Sequence, residues 1–309
     1  MKKGNTVHQR PIKRAAHTPL GHAWESFEKG RRLFELQDFP GAIAVFESSL
    51  KQFRAVLESE GEAMAASAIA AAYGNNGMHE FAMPFAEEAL DAFIRLGHAE
   101  QVAEQRQNLG SLYMSCDRAE QARQSFAQAA EDFISLKNWE RAGDNALLAA
   151  NLNARDNQFG SARTLFLQAL DNFSKVESGA SEHSRATGLM QLAYLEKVEK
   201  NMDAARLLYA EALEAFQAMN SPWEIGSCLE GLAAVEFEAD ALDSAVLHAK
   251  AALDTFQQNG FRRDALRAKV NYRAVKLAQE RANRLAAPSS SEESVGSHLP
   301  GTPFPDERP

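Results

Sequence analysis

Eight histidines, two cysteines and 42 carboxylates are the residues of this sequence with chemistry to offer, and their spacing does not assemble it. There is no HExxH, no glycine-rich phosphate loop, no GxSxG and no Cys-x-x-Cys, the patterns by which metal hydrolysis, phosphate binding, acyl transfer and thiol exchange announce themselves. His8, His17 and His298 lie toward the termini, and His248 falls on an apolar helical stripe, where a packed, hydrogen-bonded imidazole is the expectation. Cys116 at a turn and Cys228 on a helix read as isolated thiols, so a disulfide framework is excluded and a reducing, cytoplasmic setting is expected. The carboxylates are spread as on a solvated acidic surface. Asn172-Phe173-Ser174 has the form of a glycosylation acceptor, but Phe173 belongs to the core pattern. The expectation is of no catalytic residue, no metal, no cofactor, no small-molecule substrate and no enzymatic activity.

The elements that must position the remaining polar residues are legible from one stretch, ARTLFLQALDNF. Its apolar residues Ala162, Leu165, Phe166, Ala169, Leu170 and Phe173 are spaced for one stripe of an α-helix. The stripe starts again at Ala42, Ala82, Ala122, Ala205 and Ala245, and closes each time on phenylalanine: Phe53, Phe93, Phe133, Phe173, Phe216 and Phe256. The steps are 40 residues, apart from one of 43 between Ala162 and Ala205. A phase held over six copies is the signature of a repeat protein. Each stripe is preceded by a second helix and a short polar turn, such as Gly74-Asn75-Asn76-Gly77 or Asp156-Asn157-Gln158. Helices joined so briefly pack as antiparallel hairpins.

The expected fold is therefore all-α: a right-handed α-solenoid of about six helix-turn-helix repeats plus a C-terminal capping helix. Residues 1–17 read as a disordered basic tail, and no apolar stretch behind it makes it a secretory signal. The solenoid is expected over 18–286, with repeats near 20–58, 59–98, 99–138, 139–179, 180–220 and 221–260 and the capping helix over 262–285. Residues 287–309, rich in proline and serine, read as a second disordered tail. Thr18-Pro19 looks like a helix start, and Ser221-Pro222-Trp223-Glu224 like a capping box. The three surplus residues are placed in a longer inter-repeat loop at Gly179-Ala180-Ser181-Glu182. No apolar run reaches the roughly 18–20 residues that span a bilayer. The net charge of −9 hides an asymmetry: residues 1–24 carry +5, residues 262–284 carry +6, and residues 25–261 hold 19 bases against 36 acids.

Twelve residues before each stripe stands a small residue: Gly30, Ala70, Gly110, Ala150, Ala193 or Ala233. With Leu109-Gly110 and Tyr113, Ile69-Ala70 and Tyr73, and Ala122, Phe126 and Ala129 behind them, this pattern resembles the tetratricopeptide repeat (TPR) family over about residues 20–286. The period of about 40 instead of 34, with no proline closing the second helix, is similar to the long-repeat variant. Asn153, Glu196 and Glu236 stand where the family has tyrosine. Lys137-Asn138-Trp139-Glu140-Arg141-Ala142-Gly143 also resembles the soluble NSF attachment proteins. The TPR resemblance implies a concave groove lined by the first helix of each hairpin, in which a peptide or helix lies. Carried over by position, that groove comprises Gln107, Asn108, Ser111 and Ser115, then Asp144, Asn151 and Arg155, then Tyr194. Side-chain amides suit it because each offers a donor and an acceptor to a peptide bond. The basic clamp by which some members hold a carboxylate is absent, since its positions are Phe27, Ser67, Gln107, Leu147, Met190 and Glu230.

These readings point to a non-enzymatic protein–protein interaction adaptor, or scaffold, binding a protein partner through a basic or amphipathic segment that the acidic body attracts. One alternative is a ligand- or peptide-sensing regulator acting on a separate effector. Another is anionic membrane or nucleic-acid docking through Arg262, Arg263, Arg267, Lys269, Arg273, Lys276, Arg281 and Arg284. This last is disfavoured because those bases are expected to spread around their helix and the acidic body opposes approach. No nucleic acid and no membrane span are expected; self-association through the end repeats is open.

Overall fold

The computed structural model describes residues 18–176 and 178–286, and the two terminal tails anticipated above lie outside them. Thirteen α-helices and no strand occupy the described residues: α1 (Pro19–Glu35), α2 (Phe39–Ala55), α3 (Ser59–Asn75), α4 (His79–Leu96), α5 (Ala99–Ser115), α6 (Ala119–Ser135), α7 (Trp139–Arg155), α8 (Phe159–Phe173), α9 (Gly179–Val198), α10 (Met202–Ala218), α11 (Pro222–Glu238), α12 (Leu242–Gln258) and α13 (Arg262–Ala286). Each packs chiefly on the helix before and the helix after it, so the chain is an all-α repeat solenoid.

The turns have a shorter period than the hairpins. Gln37, Leu57, Gly77, Gly97, Asp117, Lys137 and Asn157 take the left-handed conformation every 20 residues, and Lys200, Asn220, Asp240 and Gly260 resume the series. After each, a backbone N–H reaches back five residues, as Asp38 does to the Leu33 carbonyl at 2.9 Å and Asn138 to that of Phe133 at 2.9 Å. This Schellman closure satisfies carbonyls that a helix end leaves bare. One turn geometry is used after both kinds of helix, and the α8–α9 connection departs from it among the described residues.

Packing follows the stripes. All six phenylalanines of the row are buried, for example Phe133 against Ala103 of α5 and Ala142 of α7, where one hairpin meets the next. The small residues are a steric requirement: a Cβ on Gly30 would lie 2.6 Å from the Phe46 ring, and one on Gly110 2.7 Å from Phe126. Thr18 caps α1 as expected, its hydroxyl accepting from the Gly21 amide at 3.0 Å.

Two local expectations need correction. Gly179 to Glu182 are not loop but the first turn of α9, capped by the Ser178 hydroxyl, which accepts from the Ser181 amide at 3.1 Å. The surplus residues therefore lengthen a helix, which runs to 20 residues. Ser221 makes no side-chain cap, and Glu224 turns instead toward His183 of α9, 3.4 Å away. A cross-hairpin partner outcompetes the local one there.

Candidate functional site

The helices that open each hairpin carry the polar residues anticipated for the groove. On α5, Asn108, Ser111 and Ser115 are exposed, and both serines spend their hydroxyls on α5 itself: Ser111 donates to the Gln107 carbonyl at 3.2 Å and Ser115 to that of Ser111 at 2.9 Å. Gln107 is engaged across the hairpins. Its amide oxygen accepts from Arg141 (3.0 and 3.3 Å) and from Asn145 (3.2 Å), while Arg141 also pairs with Glu104 at 2.8 Å. Asp144 faces Ser184 of α9; desolvation by the surrounding helices raises its carboxyl pKa, Glu140 pushes the same way, and Ser184 and Arg141 oppose.

Asn151, Arg155 and Tyr194 are brought together. They share the rim of a half-open cavity of about 590 Å³ with Gln191, above apolar walls from Phe159, Phe166, Met190, Leu195 and Val198 and with Tyr209 and Ser227 beyond. The Asn151 amide donates to the Gln191 side-chain oxygen at 3.1 Å, tying α7 to α9. Tyr194 is 58% exposed, with Lys197 beside its ring at 5.0 Å. Arg155 projects into solvent, 3.8 Å from Asp156. Tyr209 is buried, and burial chiefly raises its phenol pKa, so it remains a proton donor. Gly231 makes room for it, since a Cβ there would stand 2.4 Å from the ring. The cavity lies where α7 and α8 meet the lengthened α9, beside the one 43-residue step.

Met190 lies at a groove position that the sequence already marked as lacking the basic clamp, whereas Gln191, Phe166 and Tyr209 are additions from the structure. Gln191 was findable: it stands two residues before Ala193, the register that singled out Asn108 two residues before Gly110. Phe166 and Tyr209 were not, because they belong to the core stripe and only three-dimensional packing shows that they reach an opening.

Residues 16–177, just over half the chain, match the family model described as soluble NSF attachment protein, SNAP. The chain belongs to this family. The matched stretch of this SNAP-family chain ends where the repeat phase slips. A comparison with curated protein sequences returns no match. Among solved structures, it is similar to the apo form of RapI (TM-score 0.58, 16% identity, 85% of this chain and 99% of that one). It is similar to BtubC (BKLC) from P. vanneervenii (TM-score 0.51, 16% identity, 94% and 100%). It is also similar to the TPR-like repeats of a putative kinesin light chain from Podosopora anserina (TM-score 0.52, 19% identity, 66% and 99%). At such identities the likeness establishes the TPR-like solenoid and nothing finer.

As for chemistry, no group of three or more His, Cys, Asp or Glu among the described residues is placed to hold a metal ion. Burial, with Glu224 nearby, pushes the Cys228 thiol up to about 12, which keeps it protonated and unreactive at neutral pH. His248 is engaged as expected, its Nδ1 2.7 Å from the Glu236 carboxylate. No helix among the described residues is long and apolar enough to cross a membrane.

Proposed function

We propose that this chain is a non-enzymatic adaptor that holds a basic or amphipathic segment of a protein partner, seated on the α7–α9–α11 cavity. The observation that carries this reading is the composition of the rim. Asn151, Gln191 and Tyr194 offer donors and acceptors for a peptide backbone above walls that accept apolar side chains, as peptide sites require. The surrounding array is strongly acidic, which steers cationic segments toward it. Membership of a family named for attachment to another protein supports a protein partner. The peptide-sensing alternative would use the same cavity, with the bound segment altering a separate effector.

The test is binding of cationic and anionic amphipathic peptides of equal apolar content to the wild type and to Asn151→Ala/Arg155→Ala, read by fluorescence anisotropy. Preference for the cationic peptide, with affinity for both peptides falling in the double variant while circular dichroism stays helical, is the expected result. Equal binding by both proteins would move the site away from this cavity.

A further inference from the structure

The last described helix, α13, has a face that no other element covers among the described residues. Its inward side packs Ala265, Ala268, Tyr272 and Val275 on the preceding hairpin. The outward side carries an apolar line of Leu266 (67% exposed), Val270 (61%) and Leu277 (45%). Around that line the structure places Arg262, Arg263, Lys269, Arg273, Lys276, Arg281 and Arg284, all exposed. At 100° per residue these seven fall within the same half of the helix as the leucines, so the bases do not spread around it as the sequence reading held. Of the eight bases, Arg267 is the one bound to described carboxylates, pairing with Glu230 at 2.6 Å and Asp264 at 3.0 Å.

We infer that this face is a docking surface for an anionic lipid bilayer, lying flat in the headgroup layer. Charge selects an anionic occupant, and the exposed apolar line selects one that also accepts hydrocarbon. Together these are the attributes of an interfacial amphipathic helix. Another helix is disfavoured by Arg273. It occupies the register of Gly30, Gly110 and Ala233, where every earlier hairpin needs a small residue for close approach. Pairing of α13 with the α13 of a second copy is opposed further by their like charge. Nucleic acid would find no exposed aromatic ring for stacking, because Tyr272 is half-buried against the hairpin. The acidic body does not cancel the attraction. Glu230 and Asp254 are paired with Arg267 and Lys250, Glu280 is one carboxylate against seven bases on this face, and more distant carboxylates are screened beyond about 8 Å at physiological salt. The surface is independent of the α7–α9–α11 cavity.

The experiment is co-sedimentation of the full chain with phosphatidylcholine vesicles, with and without phosphatidylserine, at physiological salt. Binding only to the phosphatidylserine vesicles is expected. Lys269→Glu/Arg273→Glu/Lys276→Glu should weaken it at least about tenfold, and Leu266→Ser/Leu277→Ser several-fold, with helicity unchanged because all five side chains are exposed. Asn151→Ala/Arg155→Ala should bind vesicles as the wild type does. No binding to the anionic vesicles, or binding indifferent to the serine substitutions, would overturn the proposal. So would a single-stranded RNA oligonucleotide bound more tightly than the vesicles.

Discussion

The hairpins before the phase slip and those after it fill the same position with opposite chemistry. In α3 and α5 it holds tyrosine: Tyr73 and Tyr113 donate their phenols to Glu47 and Glu87 of the preceding helix, at 3.2 and 2.7 Å. In α9 and α11 it holds Glu196 and Glu236, 7% and 6% exposed, and each finds a partner. Glu196 accepts from Arg163 of the preceding helix at 2.6 and 3.0 Å and from Asn201 at 2.7 Å, while Glu236 meets His248 at 2.7 Å. At Glu196 donor and acceptor have changed sides of the interface, and Glu236 turns instead to α12, the helix that follows it. Between them, Asn153 of α7 makes neither bond and donates only to its own helix, to the Ala149 carbonyl at 2.9 Å. Beside that unbridged position the cavity opens.

The difference can be broken or sharpened by experiment. Phe133→Ala, between the α5–α6 hairpin and α7, should cost about 3–5 kcal/mol and lower the midpoint of urea unfolding for the whole array. Phe256→Ala, beneath the final helix, should release mainly α12 and α13, seen as hydrogen exchange confined to that end. Equal global losses would show that the array unfolds as one unit.

Next in size, Arg163→Ala should cost about 2–3 kcal/mol, because it strands the Glu196 carboxylate in a buried site. Tyr113→Phe should cost about 1 kcal/mol or less, because its partner Glu87 is exposed and rehydrates. Urea midpoints of the two variants that coincide would refute the contrast.

The pH response should divide the halves in the same way. The Arg163 hydrogen bonds chiefly hold the Glu196 pKa below its ordinary 4.5, so its stabilisation is complete above that value and fades as pH falls through the lowered one. Burial chiefly pushes Tyr113 up from 10.0 to about 12, so its contribution is complete below pH 10 and fades as pH rises toward 12. Single-tryptophan variants keeping Trp223 or Trp139 should therefore report loosening first in acid for the former half and first in alkali for the latter. The one substitution expected to stabilise the chain is Leu57→Gly. Leu57 is exposed with φ of 55°, so relieving the left-handed strain should add roughly 1 kcal/mol to stability.

Much of this was written in the chain order. The stripes from Ala42 to Phe256 and the small residues twelve places before them determined the helices, their pairing and their buried faces. Apolar side chains at helical spacing have one way to leave water, and a close crossing admits only a small residue. The turn series was hidden, since Gln37, Leu57 and Lys137 advertise nothing and take the left-handed form only because both flanking helices fix it. What tertiary structure alone decided is where polar groups end. Glu196 and Glu236 became satisfied members of the core because Arg163 and His248 arrive from neighbouring helices. The side of α13 that carries its bases stays outward because, among the described residues, that helix has a hairpin on one side only. A hydrophobic pattern is read along one helix, whereas a hydrogen bond or an exposed face depends on which other helix stands opposite.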